Sequence, residues 1–286
     1  MTELQSGDVV TLVVKEKLAS QYVLTNDEVE IPLNASEVLE ELQENDKVEV
    51  FLYADRRGEL AATTAIPTIR KGTYGWARVM KMSHHDGATV DIGTSREVTV
   101  PAEDLPQIES LWPKVGDHLY ITLRVDYNGN LFGRLITEER VMDHFVDGDE
   151  TLFNKNVVAR PYRLLPVGTF LLGVEQPYRI FVHETERDEE PRFGSDVTVR
   201  IIEVKEDGTL NASMKPRVYE RLSADAEQIF AYLTEVGGKM PFGDKSSPDE
   251  IKDMFDMSKG SFKRALGTLM KAGRIIQEDG WTKIKD

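Results

Sequence analysis

Cysteine is absent from the 286 residues. No disulfide can form, no thiolate zinc site can be built and no cysteine nucleophile is available. No apolar run approaches the roughly eighteen residues of a membrane-spanning helix. The start, Met1-Thr2-Glu3-Leu4, has neither the basic nor the apolar stretch of a secretory leader. A cytoplasmic protein without membrane attachment is expected. Catalytic signatures are missing too: there is no P-loop, nucleophile elbow or dinucleotide fingerprint. His84-His85 has no further ligands at metal-binding spacing. Asp126 to Asn130 faintly resembles a calcium loop, but Thr137 stands at its twelfth position, where a bidentate Glu is required. No catalytic residue, cofactor or metal is expected.

Positive charge is also scarce, with a net charge of −15. That argues against simple nucleic-acid binding, because phosphate is neutralised by Lys and Arg. The deficit is uneven. Residues 1–66 hold 5 basic and 14 acidic residues; 67–143 hold 9 and 11; 144–217 hold 10 and 13; 218–286 hold 11 and 12. The last three segments are near neutral, so each has room for a local basic face.

What is present is a repeat of 70–80 residues. Each copy has a strand pair whose second strand ends in a short apolar run closing on Pro or His: Val29-Glu30-Ile31-Pro32, Val98-Thr99-Val100-Pro101 and Ile180-Phe181-Val182-His183. A long alternating strand follows, clearest at Val48, Val50, Leu52 and at Leu119, Ile121, Leu123, Val125. A period of two buries one face and wets the other. In the third copy Val197, Val199 and Ile201 slip to Val204, which predicts a β-bulge. Arg57-Gly58, Asn128-Gly129 and Asp207-Gly208 predict two-residue hairpins. The Pro or His precedes the turn Gly by 26, 28 and 25 residues. Five short strands per unit fit an OB barrel, with an SH3-like barrel as the rival.

From about residue 224 the spacing becomes helical. Ala226, Ile229, Phe230, Leu233 and Val236 form one stripe. Ser247-Pro248-Asp249-Glu250 is a helix start, with Ile251, Met254 and Phe255 as its buried face. Ser258 can cap a third helix with the stripe Phe262, Ala265, Leu266 and Leu269, ended by Gly273. Ile275-Ile276 and Trp281 to Ile284 flank Asp279-Gly280 as a small hairpin. Three helices and a hairpin, with about two residues between the second and third helices, make a winged helix-turn-helix. The expected fold class is mainly β with a C-terminal α+β module. Its expected domains are OB repeats at 1–66, 67–143 and 144–217, and a winged helix at 218–286.

The third copy resembles the RNA-binding repeat of the large ribosomal protein S-one. Val167-Gly168-Thr169-Phe170-Leu171 is similar to that family's Phe-Gly-Ala-Phe-Val on the second strand, and Phe181-Val182-His183-Glu184-Thr185-Glu186 to its Leu-Val-His-x-Ser-Glu. Asp207 to Ser213 is similar to its closing hairpin. Pro32 and Pro101 stand where that family has His, Val167 replaces its first Phe, and Thr209 its Arg after the turn. The order of three such repeats and a winged helix resembles the conserved virulence factor B family of Gram-positive bacteria. That resemblance implies an RNA-binding regulator of gene expression.

It also implies candidate sites. Phe170 falls where the S-one-type repeat stacks a base and His183 where it contacts RNA, with Arg160, Arg163 and Arg179 nearby. The bland alternative has Phe170 packed in the barrel and His183 bonded locally. Tyr22 takes the stacking position in the first copy, where strong negative charge leaves a structural or protein-contact role equally open. Tyr74, Trp76, Arg78 and Lys81 mark the first strand of the second copy; Trp76 reads more as core than as platform. Residues 257–277 hold Lys259, Lys263, Arg264, Lys271 and Arg274 and no acid. Gly260 and Gly267 on the wet face of that helix would let a phosphate backbone approach. The alternative is a helix that docks on protein. The leading expectation is a partner of single-stranded RNA. The rivals are a DNA-binding regulator acting through the winged helix and a protein-interaction scaffold.

Overall fold

The computed structural model describes residues 4–55, 57–216, 218–278 and 280–285; the side chains of 218–223 and all of Asp279 lie outside the described residues. Two compact units are present, residues 1–214 and 215–286.

The first unit holds three closed five-stranded barrels. Barrel 1 is β1 (Val9–Lys17), β2 (Gln21–Thr25), β3 (Glu30–Asn34), β4 (Lys47–Ala54) and β5 (Leu60–Thr63). Barrel 2 is β6 (Gly75–Ser83), β7 (Gly87–Asp91), β8 (Glu97–Pro101), β9 (His118–Val125) and β10 (Leu131–Leu135). Barrel 3 is β11 (Asn156–Leu165), β12 (Gly168–Gly173), β13 (Arg179–His183), β14 (Val197–Val204) and β15 (Leu210–Ser213). In each, the third strand runs parallel to the fifth and the first closes on the fourth, the OB order rather than an SH3-like one. Each first strand is bulged, at Val14/Glu16, Val79/Lys81 and Pro161/Arg163. The bulge coils the strand so that it pairs with two neighbours.

The expected bulge of β14 is there, between Ile201 and Glu203. Three details differ from expectation. The short apolar run is the third strand of its barrel, not the second. Its closing residue in barrel 1 is Asn34, not Pro32: Asn34 caps the following 3-10 turn by accepting from Ser36 N, as His183 accepts from Thr185 N. The hairpins are longer than two residues. In barrels 2 and 3, Asp126 N donates to Asn130 O and Lys205 N to Thr209 O, with Gly129 and Gly208 at positive φ. This is a three-residue loop whose last position suits Gly.

The barrels share cores. Phe51 and Tyr53 alternate with Val50 and Leu52 along β4, and they are buried in the cluster of barrel 2. Phe193, from the long loop of barrel 3, enters that same cluster. Beside it Arg192 grips Asp117 with two hydrogen bonds of 2.9 and 3.0 Å. A short helix, α1 (Glu138–His144), links barrels 2 and 3, and its Val141 is buried against Tyr162 and Leu172 of barrel 3.

The second unit is α2 (Val218–Glu235), β16 (Lys239–Met240), α3 (Pro248–Phe255), α4 (Lys259–Lys271), β17 (Ile275–Glu278) and β18 (Trp281–Ile284), a winged helix. Ser247 and Glu250 form a reciprocal capping box on α3, and Ser258 caps α4 by accepting from Ser261 N. Phe262, Ala265, Leu266 and Leu269 are all buried, as their spacing requires. Val236 and Met254, expected on buried faces, are exposed. Val236 lies just past the last turn of α2, and Met254 sits at the edge of a short helix whose burial is met by Ile251 and Phe255. Three residues, not two, separate α3 from α4. Gly273 takes positive φ just beyond the C-cap of α4.

Candidate nucleic-acid interface

Along β13 the side chains alternate: Ile180 and Val182 are fully buried, while Arg179, Phe181 and His183 take the outer face. Antiparallel pairing sets Phe170 of β12 opposite Phe181, and Arg163 of β11 opposite Phe170. The Phe170 and Phe181 rings lie 4.8 Å apart, and Phe181 is 6.3 Å from the His183 ring. The guanidinium of Arg179 lies 4.5 Å from the Phe170 ring centre and that of Arg163 5.9 Å. The result is a partly open aromatic row edged by two cations, on strands one to three of an OB barrel. Single strands bind such a surface by stacking bases on rings and resting phosphates on cations. Gly168 makes the row possible, because a Cβ there would sit 2.5 Å from Cζ of Phe181.

The two arginines are held from behind. Oε1 of Glu138, at the start of α1, accepts from Arg179 Nε at 2.9 Å, and Oε2 accepts from Tyr162 Oη at 2.9 Å. Arg163 Nη1 lies 3.3 Å from the same carboxylate. Desolvation alone would raise the Glu138 pKa; the hydrogen bonds from Arg179 and Tyr162 outweigh it and hold the carboxyl below its ordinary range. Tyr162, buried beside this carboxylate, is pushed well above the usual phenol value.

Not every expected residue joins this surface. Arg160 is buried at the junction of barrels 2 and 3, bonded to Asp196 and 4.8 Å from the Trp76 ring, so it does not face a ligand. Trp76 packs edge-on against Tyr120 in that junction. Tyr22 is only 3% exposed, and its hydroxyl accepts from Leu42 N. With Asn34 in the place of His183, strand pairing makes Val23, not Tyr22, the counterpart of Phe170. A slip of one residue turns a side chain from the outer to the inner face. His183 is exposed and caps the 3-10 turn Glu184–Glu186. Phe181, which sequence reasoning does not single out, joins the row, and its place between the buried Ile180 and Val182 is the signal that puts it on the outer face.

In the winged helix, Lys263, Arg264 and Lys271 are exposed on α4 opposite the buried stripe, and Lys259 is half-buried at its first turn. Nothing lies within 4 Å of a Cβ built on Gly267. Arg274 differs from these: it pairs with Glu227, and its guanidinium lies 3.7 Å from the Phe230 ring centre. Like Arg179, it is held by an acid and a ring of its own unit.

These features define a class, a multidomain protein of nucleic-acid-binding type built from S1-like barrels and a winged helix. Four family models match in series: "S1 domain" at residues 6–65, "CvfB first S1-like domain" at 74–134, "Virulence regulatory factor CvfB, second domain" at 142–216 and "CvfB-like winged helix domain" at 227–284. The chain belongs to the conserved virulence factor B family. It is 45% identical to Conserved virulence factor B of Staphylococcus aureus (strain MRSA252), over 98% of this chain and 96% of that one. It is 43% identical to the Bacillus subtilis protein YitL, over 98% and 93%. A crystal structure described as a multidomain protein with nucleic acid binding domains, from Streptococcus pneumoniae, superposes with a TM-score of 0.68 at 37% identity and covers 98% of each chain. No helix among the described residues is long and apolar enough to cross a membrane.

Proposed function

We propose that this protein is a cytoplasmic, non-enzymatic regulator of gene expression that binds single-stranded RNA. Its four proposed domains are residues 1–66, 67–143, 144–217 and 218–286. The observation that carries the reading is the Phe170–Phe181–His183 row with Arg163 and Arg179 on the outer face of barrel 3. Its rings offer stacking faces that a duplex, with bases paired inside, cannot use. Lys263, Arg264 and Lys271 of the winged helix add phosphate contacts. The acidic first barrel contributes little to binding. A competition assay tests the reading: an unstructured RNA should displace bound RNA far better than a hairpin of equal length. Equal competition by the hairpin would sink it.

A second reading, duplex DNA bound through α4, is favoured by one observation, the wet glycine face beside Lys263, Arg264 and Lys271. The near-neutral charge of residues 218–286 weighs against it, since duplex-binding domains are usually strongly basic.

A further inference from the structure

The chain has three tryptophans, and two are engaged in packing. Trp76 lies in the junction of barrels 2 and 3, and the Trp112 indole donates to Pro106 O at 2.6 Å. Trp281 alone is exposed, at 38% of its surface, at the start of β18 in the wing. An indole face left open to solvent is an unused stacking surface, so its position asks for a partner.

The neighbouring side chains indicate which partner. The small sheet has the order β16-β18-β17, with Lys239 opposite Lys283 and Met240 opposite Thr282. Alternation divides its faces. Met240 and Thr282 are buried and Ile284 packs against the core of the unit, so Lys239, Trp281 and Lys283 share the outer face. The Lys239 ammonium lies 4.3 Å from the Trp281 ring centre. Lys283 also pairs with Glu278 at 2.7 Å, the one acid bonded at this face among the described residues. A protein partner seeking an apolar patch would have to desolvate these ammonium groups. A nucleotide needs both features together, a ring for its base and a cation for its phosphate.

The geometry points to Trp281 as a base-stacking station on the wing, with Lys239 as its phosphate contact. The ligand is an unstacked nucleotide of single-stranded RNA. This assignment rests on the RNA reading above and adds a second stacking site on a different unit of the chain.

The test uses the full-length protein and a short, mixed-sequence, unstructured RNA. Binding should quench tryptophan fluorescence in the parent, and Trp281→Phe should abolish the quench while keeping affinity within about three-fold. Trp281→Ala should weaken binding about ten-fold at every salt concentration, leaving the salt slope unchanged. Lys239→Ala should flatten that slope by about one counterion. Melting curves should show every variant folded at the assay temperature, because the indole is partly exposed and lies outside the core cluster of the unit. A quench that persists in Trp281→Phe, or Trp281→Ala binding within about two-fold of the parent, overturns the wing assignment and leaves the RNA reading standing. A parent protein that binds no RNA overturns both.

Discussion

Glu138 reaches from the linker helix to Arg179 of barrel 3, with its Oε1 2.9 Å from the arginine Nε. Tyr162 and Arg163 complete the set around the same carboxylate. One acid thus positions both cations of the candidate RNA surface and fastens the linker to the barrel. Glu138→Gln leaves two guanidinium groups short of a counter-charge and should cost about 1–3 kcal/mol, less than a fully buried pair because Glu138 is partly exposed. The Glu138 carboxyl is held below its ordinary range, so its contribution is complete above about pH 5 and is lost as the pH falls through the lower folded value. Thermal melting should show a gap between parent and variant at neutral pH that narrows in acid. A gap that stays constant to the acid limit would exclude Glu138 as its source.

Phe170 and Lys271 should fail in different ways. Phe170→Ala should lose about 1–3 kcal/mol of RNA affinity at all salt concentrations, with the salt slope nearly unchanged. Lys271→Ala should flatten the slope by roughly one counterion. Phe170 also packs against the cluster that holds Tyr162 and Leu172, so Phe170→Leu is the control for lost packing. If the Leu variant binds as the parent does, Phe170 serves as filler and not as a stacking face.

Tyr22 should matter for folding alone. Tyr22→Ala opens a cavity in barrel 1 and should cost about 3–5 kcal/mol. Tyr22→Phe keeps the ring but removes the hydroxyl that accepts from Leu42 N, and should cost about 1 kcal/mol. RNA affinity of Tyr22→Phe should equal that of the parent. A weakened Tyr22→Phe would bring the tyrosine hydroxyl back into the binding surface.

Gly194 should tolerate no side chain. It sits at φ +74°, and a Cβ would collide with the carbonyl oxygen of His118. It also donates to Pro161 O and accepts from His118 N, stitching barrel 3 to barrel 2. Gly194→Ala should cost at least about 2 kcal/mol from strain. A melting temperature within a degree or so of the parent would show that this junction yields easily.

Local physics wrote much of this protein into its sequence. Period-two runs such as Leu119-Ile121-Leu123 need one buried face, and Gly at each turn supplies positive φ, so three barrels in series were legible. The slip at Val204 announced its bulge, and the Ser247 and Ser258 caps announced α3 and α4. Phe170, Arg163, Arg179 and His183 could be named because strand alternation and family resemblance both act residue by residue. The employment of each side chain was decided only in three dimensions. Tyr22 turned inward because the pairing of β2 with β3 sets its face, and one residue of register reverses that face. Arg160 went to Asp196 and Trp76 because a second barrel closes over it, and Arg274 went to Glu227 and Phe230. A charge in a sequence carries no record of the acid or ring that folding will bring to it. That record is made by long-range packing, which also left Trp281 uncovered on the wing.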